Sequence, residues 1–344
     1  MLVVRPIKKT DYEALRVCAE ESGHGFTSLP VNEELLTNRI NNSVDSFEKQ
    51  NITEPSDEGY LMVGVDSDSG EIGGTTGIEA SIGWDAPFYT YHISKIVHSS
   101  PKLGVNNVVK LLTFGNNYTG CSEVCTLFLR PSFRGGLNGR LMSKCRFLMM
   151  AEHPERFSKV VFAEMRGVSD EHGNSPFWEW LQEHFFSIDF TLADYLVGIG
   201  KKGFVADLMP RLPIYVNLLS KEAQEVIGKV HANTAPALKL LEDEGFVCRD
   251  YVDIFDAGPT VECDMRNIES VRHSFRAKVK VSEHSSSQDF LMINTSFENF
   301  RGVAAKGAYD QAGDTVIIAE DVAKVLEVSN GDYIRMLPQE NKIK

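Results

Sequence analysis

The chain has 344 residues, of which 42% are hydrophobic and 24% charged, with a net charge of −13 at neutral pH. That is enough chain to bury one large core or two, with the composition of an ordinary water-soluble globular protein. The negative balance argues against a nucleic-acid binder, which needs a basic face, and no apolar run is long enough to predict a membrane span.

The N-terminus lacks a signal core, because Arg5, Lys8, Lys9 and Asp11 interrupt it. Six cysteines show no Cys-x-x-Cys pair, and Cys121 and Cys125 have no neighbouring His or Cys to complete a metal set. They read as thiols of a reducing cytoplasm, and no metal is expected. The acidic balance suits a cationic substrate, but solubility alone explains it as well.

In chain order, residues 1–30 read as strand, helix and loop, 31–50 as a helix and 51–58 as a polar loop. Tyr60 to Val65 and Gly73 to Ile82 predict antiparallel strands about a turn at Asp66 to Gly70. Residues 84–120 are aromatic and polar, with no clear period. Val124 to Leu129 is apolar and β-favouring apart from Thr126, and predicts a buried strand. A turn with Arg134, Gly135, Gly136, Asn138 and Gly139 follows, then a helix with Leu141, Met142, Cys145, Leu148 and Met149 on one face. Val160 to Met165 is the next strand.

Residues 170–230 form a long connection, with helices over Pro176 to Phe186 and Lys221 to Val230. It reads as an insertion that shapes an amino-acid pocket or a subunit interface. Thr234 as N-cap, Pro236 in the first turn and Gly245 at C′ bound the following helix. Tyr251 to Phe255 and Thr260 to Cys263 flank a hairpin turn at Asp256 to Pro259. Beyond about residue 265 the character changes. Val279 to Glu283, Asp289 to Asn294, Ile317 to Val328 and Tyr333 to Leu337 predict a small β-rich unit, with Ser285 to Gln288 a linker-like loop. The division is therefore 1–265, carrying the insertion, and 266–344.

A strand feeding a Gly-rich turn into a helix N-terminus presents backbone N–H groups and a positive dipole end, which suit a phosphate. The turn lacks the Gly-x-Gly-x-x-Gly dinucleotide spacing and the Gly-x-x-x-x-Gly-Lys-Ser/Thr of nucleotide loops. It also lies beyond residue 130 rather than in a first βα unit, which removes a nicotinamide dehydrogenase. Arg134-Gly-Gly-Leu-Asn-Gly139 resembles the Arg/Gln-x-x-Gly-x-Gly/Ala turn of the GCN5-related N-acetyltransferase (GNAT) superfamily, which holds the pyrophosphate of coenzyme A. Leu137 stands where the first motif Gly is usual, and Gly135 and Gly136 lie one or two residues earlier. The opening Leu2 to Leu15 and the helix closing in Gly245-Phe246 resemble the same superfamily.

Gly25-Phe-Thr-Ser-Leu-Pro30, Ala163-Glu-Met-Arg-Gly167, Asp170 to Trp178, Asp207-Leu-Met-Pro210, Pro213-Ile-Tyr215 and Asp253-Ile-Phe-Asp-Ala-Gly-Pro-Thr260 together resemble the arginine N-succinyltransferase family. The resemblance implies an α+β fold: a GNAT-like mixed, mostly antiparallel sheet flanked by helices, in which the strands at Val124 and Val160 diverge. It implies succinyl transfer from succinyl-CoA, as co-substrate rather than resident cofactor, to the α-amine of L-arginine in a cytoplasmic catabolic route. It implies an acyl-CoA contact at Leu127, flanked by Phe128 and Leu129, with Arg134, Gly135, Gly136, Asn138, Gly139 and Arg140 at the phosphate and adenine end.

His231 is the residue the resemblance makes catalytic. An imidazole can take a proton from the amine or give one to the thiolate; His172 is the runner-up. Glu164, Asp170, Glu171 and Asp207 are acids placed to meet the guanidinium, and Arg166 and Arg130 cations for the succinyl carboxylate, none of them assigned. The expected assembly is a homodimer or a pair with a related subunit. Two alternatives stay open, ornithine as acceptor and a non-catalytic acyl-CoA-binding subunit.

Overall fold

The computed structural model describes residues 1–23, 29–170, 173–185, 188, 192, 196, 208–282 and 288–339. In chain order come β1 (Leu2–Pro6), α1 (Tyr12–Ser22), α2 (Glu33–Glu48), β2 (Gly59–Asp66), β3 (Ile72–Glu79), β4 (Thr90–Ser100), β5 (Val105–Gly115), β6 (Ser122–Leu129), α3 (Asn138–Glu152) and β7 (Val160–Glu164). Then follow α4 (Pro176–Phe185), β8 (Ile214–Tyr215), α5 (Lys221–Val226), α6 (Ala235–Glu242), β9 (Val247–Val252) and β10 (Pro259–Asp264). The chain closes with α7 (Glu269–His273), β11 (Phe275–Val281), β12 (Gln288–Asn294), β13 (Gly302–Asp310), β14 (Thr315–Ile318), α8 (Glu320–Leu326) and β15 (Tyr333–Pro338).

One mixed sheet runs through the molecule in the order β12-β15-β11-β14-β13-β1-β2-β3-β6-β7-β10-β9-β4-β5-β8. Among the described residues its pairings are antiparallel except β6 with β7 and β11 with β14. Strand alternation explains why β2 is apolar throughout. Tyr60 and Met62 join the core around α3, while Leu61 and Val63 join the core under α1 and α2. The sheet is thus covered on both faces.

The helix α3 is the centre of the largest core. The sequence predicts one apolar face, but the structure buries it nearly all round, taking in Ser143, Arg146, Phe147 and Met150 besides the predicted stripe. Arg146 is satisfied within the core, its Nε donating to the Ser143 carbonyl at 2.9 Å. Lys144 pairs with the fully buried Glu244 at 2.7 Å.

β11 to β15 form a closed barrel, because β12 pairs with both β15 and β13. Residues 317–328, expected within a β-rich unit, divide into the end of β14 and the helix α8, and β13 was not anticipated. The barrel continues the main sheet through β13 and β1 (Val3 opposite Val303). β4 and β5 were also missed, since residues 84–120 show no period. Thr234 occupies the N-cap position of α6 without a side-chain capping bond. Residues 24–28, Glu171, His172, Asp207 and 283–287 lie outside the described residues, and with them part of several expected motifs.

A single carboxylate ties the barrel to α3. Glu152, 1% exposed at the end of α3, receives Arg276 of β11 at 2.5 Å and Arg335 of β15 at 2.8 Å. Removing one partner from a buried ion pair strands the other charges. Glu152→Ala is expected to cost about 3 kcal/mol in denaturant unfolding, the low end for a buried pair because Arg276 is half in water.

Candidate active site

The strands β6 and β7 pair only at Ser122–Val161 and Glu123–Phe162. On their other edges β7 stays with β10 and β6 with β3, so beyond those two rungs the two walls part. At the same place β6 takes an extra residue. Gly77 of β3 faces Cys125, but Thr75 already faces Phe128. This is a β-bulge, and Thr126 in it has φ +57, a left-handed conformation that a β-branched residue rarely adopts.

Three contacts hold the bulge. The Thr75 hydroxyl donates to the Thr126 carbonyl at 2.9 Å. Arg39 of α2 donates through Nη2 to the Thr126 hydroxyl at 2.9 Å and to Glu79 Oε1 at 2.8 Å. Strain kept in place by surrounding structure is characteristic of functional backbone. Leu127, Phe128 and Leu129 follow the bulge, half-buried. Leu127 and Leu129 pack toward the α3 core and Phe128 toward the α1–α2 core, so what this stretch offers the opening is mainly backbone.

β6 leads through a short 3-10 turn at Pro131–Phe133 into α3. Gly135 and Gly136, at φ +140 and +52, make the turn that L side chains resist. The Arg134 guanidinium donates to the Leu129 carbonyl at 2.9 Å, and the Asn138 side-chain amide to the Phe133 carbonyl at 3.0 Å. The first i→i−4 bond of α3 is Leu141 N to Leu137 O. The amides of Gly136, Leu137, Gly139 and Arg140 therefore lie ahead of the helical ladder, at the positive dipole end. Leu137 occupies the N-cap position at φ −99, so this turn needs no glycine there, and the flexibility is supplied by the two residues before it.

His231 hangs from the far wall. Its backbone N–H donates to the Arg166 carbonyl at 2.9 Å, just beyond β7, and Gly167 bridges Val230. The Asp253 to Thr260 segment buttresses this wall. Asp256 accepts the Gly167 N–H at 2.6 Å and the Gly258 N–H at 2.8 Å, while Gly228 donates to the Ala257 carbonyl. A Cβ on Gly258 would lie 2.1 Å from the Met165 carbonyl oxygen, so only glycine fits there. Burial, and then the neighbouring charge of Asp253, push the Asp256 carboxyl well above the usual range.

The imidazole of His231 accepts the Asn233 backbone N–H at Nδ1, at 3.1 Å. That assigns the ring hydrogen of the neutral form to Nε2. A protonated ring would set Nδ1–H against an N–H. Burial, followed by the Arg166 charge, holds the pKa below the ordinary histidine value, and the positive end of α6 acts in the same sense.

The structure thus sets Leu127 to Leu129 and the Arg134 to Arg140 turn on the β6 side of the parting, and His231 beyond the end of β7. Arg130 is engaged elsewhere, pairing with Glu21 at 2.9 Å and Glu71 at 2.7 Å. Asp170 closes its own turn by accepting the Asn174 backbone and side-chain amides. Arg39, Glu79 and Asp256 were missed as site residues. The first two carry no sequence signal, whereas Asp256 lies in a motif that the sequence already singles out.

The open space beside Gly139 gives a test of the anion site. A Cβ there meets nothing within 4 Å, and an acid in a first helical turn stabilises a helix by roughly 0.3–1 kcal/mol. Gly139→Asp should leave the melting temperature unchanged or raised. By placing a negative charge where a pyrophosphate would sit, it should weaken binding of a CoA thioester by at least about tenfold in calorimetry, or 1.4 kcal/mol.

Two family models match the chain: the arginine N-succinyltransferase beta subunit over residues 2–270 and its C-terminal domain over 275–338. The chain is similar to the arginine N-succinyltransferase of Escherichia coli (strain 55989 / EAEC), 44% identical over 98% of this chain and 97% of the relative. The protein of that name from Shigella flexneri matches to the same extent. Among solved structures it is similar to the arginine/ornithine succinyltransferase subunit AI from Pseudomonas aeruginosa, with a TM-score of 0.90, 34% identity and 98% of each chain covered. With a family model spanning most of its length and relatives of this identity aligned end to end, the chain belongs to the arginine N-succinyltransferase family.

Proposed function

We propose that the chain transfers the succinyl group of succinyl-CoA to the α-amine of L-arginine, giving N2-succinyl-L-arginine and CoA, on a sheet of the GNAT type. Family membership supports the reaction, and one structural observation carries it: the left-handed bulge at Thr126 lies at the parting of β6 and β7 and runs directly into the open N-terminus of α3. The α3 end takes the pyrophosphate, through Gly136, Leu137, Gly139 and Arg140 amides with Arg134 beside them. The Leu127 to Leu129 backbone lines the thioester, where an N–H aimed at the carbonyl oxygen stabilises the oxyanion.

The neutral amine attacks the thioester carbon, the C–N bond forms and the C–S bond breaks. The amine proton goes to solvent, and CoA leaves as a thiolate, which near neutral pH needs no obligatory acid because thiols ionise at about pH 8.5. His231 contributes as a neutral Nε2–H donor to the charge that develops on oxygen or sulfur, since Nδ1 is occupied and protonation is disfavoured. Arg166, whose carbonyl accepts the His231 backbone N–H, is proposed as the cation for the succinyl carboxylate. The six cysteines carry no disulfide, which fits a reducing cytoplasm. No helix among the described residues is long and apolar enough to cross a membrane.

Thiol release from succinyl-CoA by the purified chain, with arginine, ornithine and lysine offered in turn, tests the reaction. Fastest release with arginine is expected. Preference for ornithine would move the acceptor, and no release would reassign the chain as a binding subunit. His231→Ala should lower kcat by about 100-fold, the loss of one charge-stabilising donor. His231→Gln, which restores an N–H near the Nε2 position but cannot shuttle protons, should recover most of it. Because burial and the Arg166 charge hold the ring's pKa below the ordinary histidine value, kcat should show no decline with rising pH above that value that depends on His231. A Gln variant as slow as Ala, with such a decline in the wild type, would restore proton transfer to His231.

A further inference from the structure

Residues Lys95–Lys110 form the outer part of the β4–β5 hairpin. The inner part is anchored: Tyr91 and His92 pair with β9, and Leu111 and Leu112 with β8. Beyond those rungs the hairpin continues in register to Ser100 opposite Val105, with no further strand on either edge among the described residues. Six residues of strand project it about 20 Å. An isolated two-stranded ribbon is marginal in water, and an open edge is a template for another chain.

This ribbon is also apolar where it should be wet. Val97 and Val108 are directly opposite each other and 59% and 62% exposed, and Leu103 at the tip is 77% exposed. The next pair on the same face is Lys95 opposite Lys110, two like charges that repel across the rung, with no acid paired to either among the described residues. Acids make up about one residue in seven of the chain, yet none occurs between Asp85 and Glu123, a stretch that holds Lys95, Lys102 and Lys110.

We propose that the β4–β5 ribbon is an arm that docks onto the body of a second copy of this chain. The charge pattern selects that occupant: a basic, apolar arm on a molecule of net charge −13 finds its complement on the acidic body of its own partner. It also selects the mode, because pairing arm to arm would bring two sets of three lysines together. Reciprocal docking satisfies twofold symmetry, and the arm supplies most of the ~20–30 residues a side of a standard interface. The inference does not depend on the reaction proposed above.

Light scattering of the intact chain after gel filtration, as a function of concentration and salt, tests the docking. A dimer at micromolar concentration is expected, weakened by high salt. Val97→Glu/Val108→Glu and, separately, Lys95→Glu/Lys110→Glu should each raise the dissociation constant at least about 100-fold. Their melting curves in the monomer range should match the wild type, because these side chains are exposed. A wild-type chain that stays monomeric at high concentration, or that associates only with a different chain, overturns the proposal. So does a dimer that survives both double variants.

Discussion

Everything at the site depends on the parting of β6 from β7. Two parallel rungs join the strands, and beyond them each is held only by the antiparallel partner on its other edge, β3 for β6 and β10 for β7. A sheet that opens in this way leaves one strand edge facing outward from the middle of the fold, where backbone groups would otherwise be buried and paired. The bulge at Thr126 makes the opening permanent. Its left-handed backbone is held by Thr75 from one strand and by Arg39 from α2, so the strain is met by contacts from both the sheet and its covering helix.

The remaining parts are arranged around that opening by ordinary packing. α3 is buried nearly all round and anchored at its far end by Glu152 to two barrel arginines. That fixes its N-terminus, and hence the free amides of its first turn, relative to β6. The barrel therefore bears on the candidate site indirectly, by locking the helix whose first turn is proposed to take the phosphate. On the opposite wall, Asp256 and Gly258 clamp the chain at Gly167, and the Val230 bridge carries the clamp to His231. The electrostatics follow the same geometry: a helix end, an arginine and a backbone N–H on Nδ1 all favour a neutral imidazole.

Much of this was legible in the sequence where periodicity and turn chemistry agree. The Val124 to Leu129 strand, the glycine turn and the helices at Glu33, Pro176 and Thr234 follow from pattern alone. What failed has physical reasons. The β4–β5 ribbon shows no alternation because its outer half has no buried face to alternate against. The Asp253 to Thr260 segment reads as a hairpin, but its support for Gly167 is a long-range contact that no local pattern encodes. Arg39 sits on a helix face where an arginine is unremarkable, and only the fold brings it to the bulge. The Leu137 departure, which breaks the glycine spacing of the motif, proves compatible with the turn, since Gly135 and Gly136 take the positive φ values.

The central claim is that one acyl-CoA lies along β6 past Thr126 and ends on α3. Amide hydrogen exchange with and without succinyl-CoA tests it most directly, because exchange reports opening and protection segment by segment. Slowed exchange confined to Thr126–Leu129 and Gly136–Leu141 is the result this account predicts. Protection elsewhere, with those two segments unchanged under saturating ligand, would contradict it.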